Sequence, residues 1–137
     1  MRGYTVEMSF LMPMILLLIM SSIFGVFYFH DKNIITGAAY ETVVVGAARA
    51  REKKGGGMET AELEKLFEER VGDKCILFDR VTAAADIRDD EIEILAKGEK
   101  RGMDVTVLKR MPVTDPEQKI RDIRRMKGLG NGKNNHN

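Results

Sequence analysis

The stretch that decides the fold runs from Met8 to Phe29 and reads MSFLMPMILLLIMSSIFGVFYF. It contains no charged residue, and its apolar side chains fall on every face of a helix. A helix that spans a bilayer needs roughly 20 predominantly apolar residues, whereas a surface helix of a soluble protein turns one polar face to water. The stretch therefore predicts a transmembrane helix over residues 8–29.

A removable secretory signal is the alternative interpretation of this stretch. Such a signal has an apolar run of roughly 7 to 15 residues, followed by a cleavage site with small residues. The run here is longer, and Tyr28, Phe29 and His30 at its end are large. Cleavage near Ser21 or Gly25 stays open as an alternative, but the pattern favours a retained anchor.

The rest of the chain carries nearly all of the charge. The protein has 137 residues, with 22 Lys and Arg against 21 Asp and Glu, so its formal net charge is +1. This balance excludes a dominant nucleic-acid footprint, and the single cysteine excludes a disulfide framework within the chain. The sequence shows no convincing pair of nucleophile and base and no paired-histidine metal spacing. We therefore expect neither an enzyme nor a bound cofactor.

A helical extension of the anchor is predicted up to a run of three glycines. Small side chains recur at four-residue spacing from Ala38 to Ala50, and positions four apart share one face of a helix. Such a smooth face lets another backbone approach closely, either in this chain's own C-terminal domain or in a neighbouring subunit. We expect a helical spine over residues 30–54 and a flexible glycine joint over residues 55–57.

The remaining residues predict a small head. The spacing of Leu63, Phe67 and Val71 indicates a short amphipathic helix within residues 58–72. From Cys75 onward the period changes to two, which predicts about three strands with turns at residues 89–90 and 97–102. Thr114-Asp115-Pro116 then indicates the start of a helix whose basic side is either solvated or docked on an acidic surface. The head is expected to cover residues 58–127, followed by a disordered tail over residues 128–137.

Together these elements predict an α+β fold. A long N-terminal transmembrane helical spine would carry a small head of short helices and an about three-stranded antiparallel sheet. Three strands are not stable alone and need a helix on their apolar face. The spine and the helix within residues 58–72 are the expected cover.

The residues in front of the apolar run resemble a class III, or prepilin, signal. Arg2-Gly3-Tyr4-Thr5-Val6-Glu7-Met8 is followed by Ser9-Phe10-Leu11-Met12-Pro13 and the apolar run. This arrangement resembles the TadE/TadG-like pseudopilins of tight-adherence pilus systems, which show a Gly, a short spacer, a Val-Glu pair and an apolar stretch containing Pro. The resemblance is specific over residues 2–20 and extends loosely to Ala50. It implies a pilin-like fold and a role as a pseudopilin or minor pilin.

The resemblance also implies a set of site residues. A prepilin peptidase would cut between Gly3 and Tyr4, and Glu7 would pair with the new N-terminal amine of a neighbouring subunit during assembly. Pro13 would kink the helix, either passively or as part of a stretch that melts on filament packing. Glu7 is the fourth residue after Gly3, whereas the prepilin pattern usually has the fifth. This offset leaves the scissile bond and the pairing geometry open, and Glu7 alone is also explained as a headgroup-zone residue at a helix N-terminus.

The implied partners are the lipid bilayer, the prepilin peptidase, other pilin or pseudopilin subunits and the pilus assembly machinery. The implied location is the cytoplasmic membrane, with the N-terminus in the cytoplasm and the head outside, or a pilus outside the cell. Charges near the span barely decide the orientation. The alternative function is a permanently anchored single-pass scaffold of an envelope complex, which would need no cut at Gly3.

Overall fold

One helix forms the spine of the protein. The computed structural model describes residues 2–52, 59–88, 90–113 and 116–131, and in it helix α1 runs unbroken over Arg2–Glu52. Its 51 residues give a length of about 76 Å, and Pro13 lies inside it without ending it. The predicted span over residues 8–29 therefore continues into the predicted spine without a break. The predicted glycine joint lies outside the described residues.

The head contains two further helices and three strands. The elements are α2 (Thr60–Val71), β1 (Arg80–Ile87), β2 (Glu91–Lys100), β3 (Met103–Pro112) and α3 (Pro116–Asn131). The strands form one antiparallel sheet in the order β1-β2-β3. The predicted α+β fold with a helical spine and a small head is confirmed.

The hairpin between β2 and β3 is tighter than predicted. Its loop is Arg101 and Gly102, whose φ angles are 35° and 85°, and Lys100 pairs with Met103. Positive φ at both central residues is typical of a type I′ turn, whose twist matches that of the strands. The predicted turn over residues 97–102 was therefore too long, because β2 continues through Gly98 to Lys100.

Gly98 is a packing position within the strand. A Cβ atom there would lie 3.0 Å from Cδ1 of Ile35 and 3.3 Å from Cγ of Phe78. The missing side chain thus lets α1 approach the sheet closely at this point. The sequence predicted Gly98 as part of a turn, but the close approach of α1 to β2 explains the glycine at this position.

The core lies between the inner face of the sheet and the two helices α1 and α2. Helix α1 covers β2 and β3, while α2 covers β1. The largest fully buried apolar side chains come from all three sources: Ile35 and Val43 on α1, Leu63 and Phe67 on α2, and Ile92 and Ile94 on β2. The predicted cover of the sheet by both helices is confirmed.

The end of the chain differs from the predicted boundaries. Helix α3 continues through Gly128 to Asn131, so the predicted tail begins too early, and residues 132–137 lie outside the description. The first strand also begins later than predicted, at Arg80 rather than near Cys75. Residues 75–79 form a bent segment instead, which contacts α1.

Candidate processing and assembly site

The predicted site residues all lie near the start of α1. Gly3 and Tyr4 are in its first turn, Glu7 is one turn further, and Pro13 follows inside the same helix. Tyr4 and Glu7 are exposed. All four belong to the exposed first part of α1, and their roles in cleavage, assembly and kinking stay predictions.

Gly3 is helical, whereas a protease groove takes an extended chain. Cleavage at Gly3 therefore requires the first turn of α1 to unwind. Apart from the helix's own nearby backbone and the adjoining residues, no described atom lies within 4 Å of the place where a Cβ of Gly3 would be. At Gly3 itself, therefore, no described side chain packs against the helix.

The apolar part of α1 receives no cover from the other described residues of the chain. Residues 3–24 are all exposed, including Leu16, Leu17 and Leu18. Within the described part of the chain, α1 is the one helix long and apolar enough to cross a membrane. Exposed apolar surface of this extent marks a membrane or protein contact.

The second half of α1, in contrast, has one face buried. Its small-residue stripe is buried against the chain's own head, with Ala39, Thr42, Val43 and Ala47 at most 1 % exposed. A Cβ atom at Gly46 would lie only 2.9 Å from Cδ2 of Leu63. Packing against the chain's own head, one of the two alternatives for this stripe, is therefore what the structure shows.

A buried carboxylate marks the point where the apolar run ends. Asp31 is fully buried, and its carboxylate oxygens accept hydrogen bonds from the backbone N–H groups of three consecutive residues. The distances are 2.9 Å from Ile76, 2.6 Å from Leu77 and 3.0 Å from Phe78. This contact, here called the Asp31 clamp, holds residues 76–78 against α1 and explains why the segment before β1 is bent.

The clamp keeps Asp31 charged. Burial alone would raise the pKa of this carboxyl, but the hydrogen bonds from Ile76, His30, Phe78 and Leu77 stabilise the anion and leave the pKa below its ordinary value. His30, which is largely exposed, lies with Nδ1 3.1 Å from Oδ1 of Asp31. The clamp is therefore an anion held mainly by backbone N–H groups.

Sequence reasoning missed the clamp, although a signal for it exists. Asp31 is in phase with Ile35, Ala38 and Thr42, at the three- and four-residue steps of the buried stripe. A charged residue on a buried face requires partners, because an unpaired charge is costly to bury. The spacing of Asp31 could have indicated that its carboxylate has a buried partner. It could not have indicated that the partner is a set of backbone N–H groups.

The sequence predicted that a strand starts at Cys75, but β1 starts at Arg80. Cys75 lies in the bent segment and is half-buried, and burial together with the charge of Asp31 raises the pKa of its thiol. Among the described residues, no group of three or more His, Cys, Asp or Glu side chains forms a candidate metal site.

Comparison with protein families decides what the N-terminal segment is similar to. Residues 4–43 match the model of the TadE-like protein family. Comparisons with curated proteins and with solved structures give no match.

The match confirms the resemblance to TadE-like proteins that the sequence predicted. The TadE-like segment (residues 4–43) contains the apolar run, the Asp31 clamp residue and the first half of the buried stripe. The sheet and α3 lie beyond it.

Proposed function

We propose that the protein is a membrane-anchored pseudopilin or minor pilin that takes part in the assembly of a tight-adherence type pilus or a related secretion filament. The observation that carries the proposal is the match of residues 4–43 to the TadE-like family. The matched segment begins at Tyr4, which is the residue that a cut after Gly3 would make N-terminal.

The division of α1 into two halves supports this role. Its second half completes the core of its own head, while no other described part of the chain covers its first half. A subunit of this shape keeps its head folded whether lipid or neighbouring helices surround the apolar half. It is therefore suited to leave a bilayer for a helical bundle without refolding its head.

The chemistry at the N-terminus supplies a way to set the register of subunits. Cleavage after Gly3 creates an ammonium group on Tyr4, and Glu7 of a neighbour offers a carboxylate in the same apolar zone. Either charge buried alone costs several kcal/mol, whereas a hydrogen-bonded pair offsets much of this cost. The pair would thus favour one axial stagger of neighbouring helices over the others.

The proposal places the protein in the cytoplasmic membrane, with a cytoplasmic N-terminus and the head outside. Its partners would be the bilayer, a prepilin peptidase, other pilin or pseudopilin subunits and the assembly machinery. Long domains cross a membrane largely regardless of their charge, so the basic residues after the span do not oppose this orientation.

Processing at Gly3 tests the proposal. In a host with a prepilin peptidase, N-terminal sequencing of the mature protein should begin at Tyr4. Gly3→Val should block the cut because a side chain then enters the groove, and the matched control Gly25→Val should be cut normally. A mature protein that begins at Met1 or Arg2 contradicts the proposal, and a start beyond Ser21 indicates ordinary secretion.

A permanently anchored scaffold of an envelope complex is the second candidate. The one-residue offset between Gly3 and Glu7 favours it, because the usual prepilin spacing is not met. In this case the chain stays intact from its first residues in the presence of the peptidase. The same sequencing experiment therefore separates the two candidates.

A further inference from the structure

The head has two apolar surfaces that nothing in the described chain covers. On the outer face of the sheet, the strand register aligns Ala84, Leu95 and Leu108 in one row across the three strands, here called the outer row. Leu108 is 44 % exposed. On α3, Ile120, Ile123 and Met126 form a stripe, here called the α3 stripe, whose members are 51 %, 54 % and 68 % exposed.

The spacing of the two surfaces matches. Neighbouring strands lie about 4.8 Å apart, so the outer row places one side chain at each such step. Residues three apart on a helix advance about 4.5 Å along its axis, so the α3 stripe has nearly the same step. With α3 lying across the strands, each apolar residue of the helix would meet one strand.

The charges of the two surfaces are opposite in sign. Helix α3 has five basic and two acidic residues, a net charge of +3. The outer face of the sheet has five acidic residues (Asp86, Glu91, Glu93, Glu99 and Asp104) against three basic ones (Arg80, Lys97 and Arg110), a net charge of −2. Opposite potentials favour the encounter and fix its orientation.

With α3 lying across the strands, the two surfaces of one chain do not meet each other. Val113 continues the line of β3, since its N–H donates to the carbonyl oxygen of Asp90 at 2.7 Å. The three steps from Val113 to Pro116 reach at most about 11 Å. Leu108 lies about 17 Å back along β3 from Val113, and the axis of a helix packed on the sheet lies about 10 Å above it.

We propose that the α3 stripe of one copy docks on the outer row of a second copy of this chain. The contact joins two different surfaces, so each copy can bind one neighbour through α3 and another through its sheet. Such heterologous contacts propagate into rings or open filaments. The inference rests on the proposed function only in requiring that copies of this chain meet in one membrane.

Crosslinking between two differently tagged copies tests the contact in the full chain. Both copies carry Cys75→Ser, and one has Leu95→Cys on the central strand while the other has Ile123→Cys at the middle of the α3 stripe. After coexpression and mild oxidation, membranes should contain a disulfide-linked product with both tags. The matched control replaces Ile123→Cys by Arg125→Cys on the opposite side of α3, and its product should be several-fold weaker.

Three outcomes would overturn the contact between copies. Equal yields for the cysteines at positions 123 and 125 would mean random collision. The absence of a product with both tags would mean that the two surfaces do not meet. A crosslink that forms within a single chain carrying Leu95→Cys and Ile123→Cys, but not between chains, would mean that α3 folds back on its own sheet. Neither readout depends on cleavage at Gly3, so failure of the contact is distinguishable from failure of the proposed function.

Discussion

The carboxylate of Asp31 joins parts of the chain that are 45 to 47 residues apart. Without it, the buried N–H groups of Leu77 and Phe78 would lose their acceptor in the core. Leaving a buried donor unsatisfied costs about 1–3 kcal/mol, and hydrogen bonds to a charged acceptor are stronger than neutral ones. One side chain thus fixes both the direction of residues 76–78 and the point where the head meets the helix.

We expect Asp31→Asn to lower the free energy of unfolding by about 2 kcal/mol or more, because the charge is lost and an amide N–H₂ group faces N–H donors. The matched control is Asp79→Asn, which removes an exposed carboxylate paired with Lys100 at 2.9 Å and should cost at most about 1 kcal/mol. Denaturant unfolding of the detergent-solubilised chain measures both. Equal losses for the two variants would contradict the assigned role of the clamp.

The loss of stability in Asp31→Asn should depend on pH. Since the pKa of Asp31 is lower in the folded state than in the unfolded chain, the folded state binds fewer protons and its stability rises with pH in this range. The stabilisation is fully present above the unfolded pKa, at about pH 4, and is lost as the pH falls through the folded value. The difference in stability between the parent and Asp31→Asn should therefore shrink in acid. A difference independent of pH would mean that Asp31 acts by shape alone.

Glu7 has a separate prediction that concerns neighbours. Glu7→Ala should leave insertion and cleavage nearly intact, but it leaves a neighbour's ammonium unpaired, a loss of about 3–5 kcal/mol that should abolish assembly. Glu7→Gln keeps the shape without the charge and should assemble only slightly better. Crosslinking of neighbouring subunits in the membrane measures the effect. A role limited to the helix dipole predicts only about 0.3–1 kcal/mol and unchanged crosslinking.

At the scale of elements, α1 is one helix with two surroundings. Sequence periodicity indicated the small-residue stripe because residues four apart share a face, and the structure buries that face under α2 and the sheet. The order of the strands also followed from their alternation and short connections. Gly98 could not be assigned in this way, since its role is set by Ile35, which is 63 positions away along the chain.

Two glycines of α1 allow a matched test of how tightly this helix packs against α2 and the sheet. Gly46→Val should lower the free energy of unfolding by about 1–3 kcal/mol, because the new side chain overlaps Leu63 and Ile92 in a filled core. Gly37→Val meets no described atom within 4 Å and replaces glycine by a slightly better helix former, so it should be neutral or stabilise slightly. Thermal unfolding of both variants decides the matter. A similar loss at the two positions would show that helix propensity, not packing, is responsible.

At the scale of the whole molecule, the head is incomplete without its spine. Ile35, Ala39 and Val43 of α1 are buried in the same cluster as Phe67 and Ile94. The apolar run, the α+β class and the helical cover of the sheet could all be predicted, because each depends on local pattern. The Asp31 clamp and the start of β1 could not be predicted. Both depend on hydrogen bonds between the Asp31 side chain and backbone groups that are distant in the sequence.

Removing the spine should therefore destabilise the head. A fragment of residues 59–131 should melt at least about 10 °C lower than a fragment of residues 31–131, or show no cooperative transition, because it loses the apolar cover and the clamp together. Circular dichroism of the two fragments provides the measurement. As an internal control, residues 31–131 with Asp31→Asn should fall between them. Equal melting temperatures would mean that the spine is not part of the core.

The absence of any break in α1 between Arg2 and Glu52 couples the azimuth of the head to that of the span. A helix turns about 100° and rises about 1.5 Å per residue. A single residue inserted between Phe29 and His30 would thus leave both halves folded, yet point the head about 100° away from its former direction. In the proposed membrane-anchored subunit, the number of residues between the span and Asp31 would therefore set the direction in which the head faces.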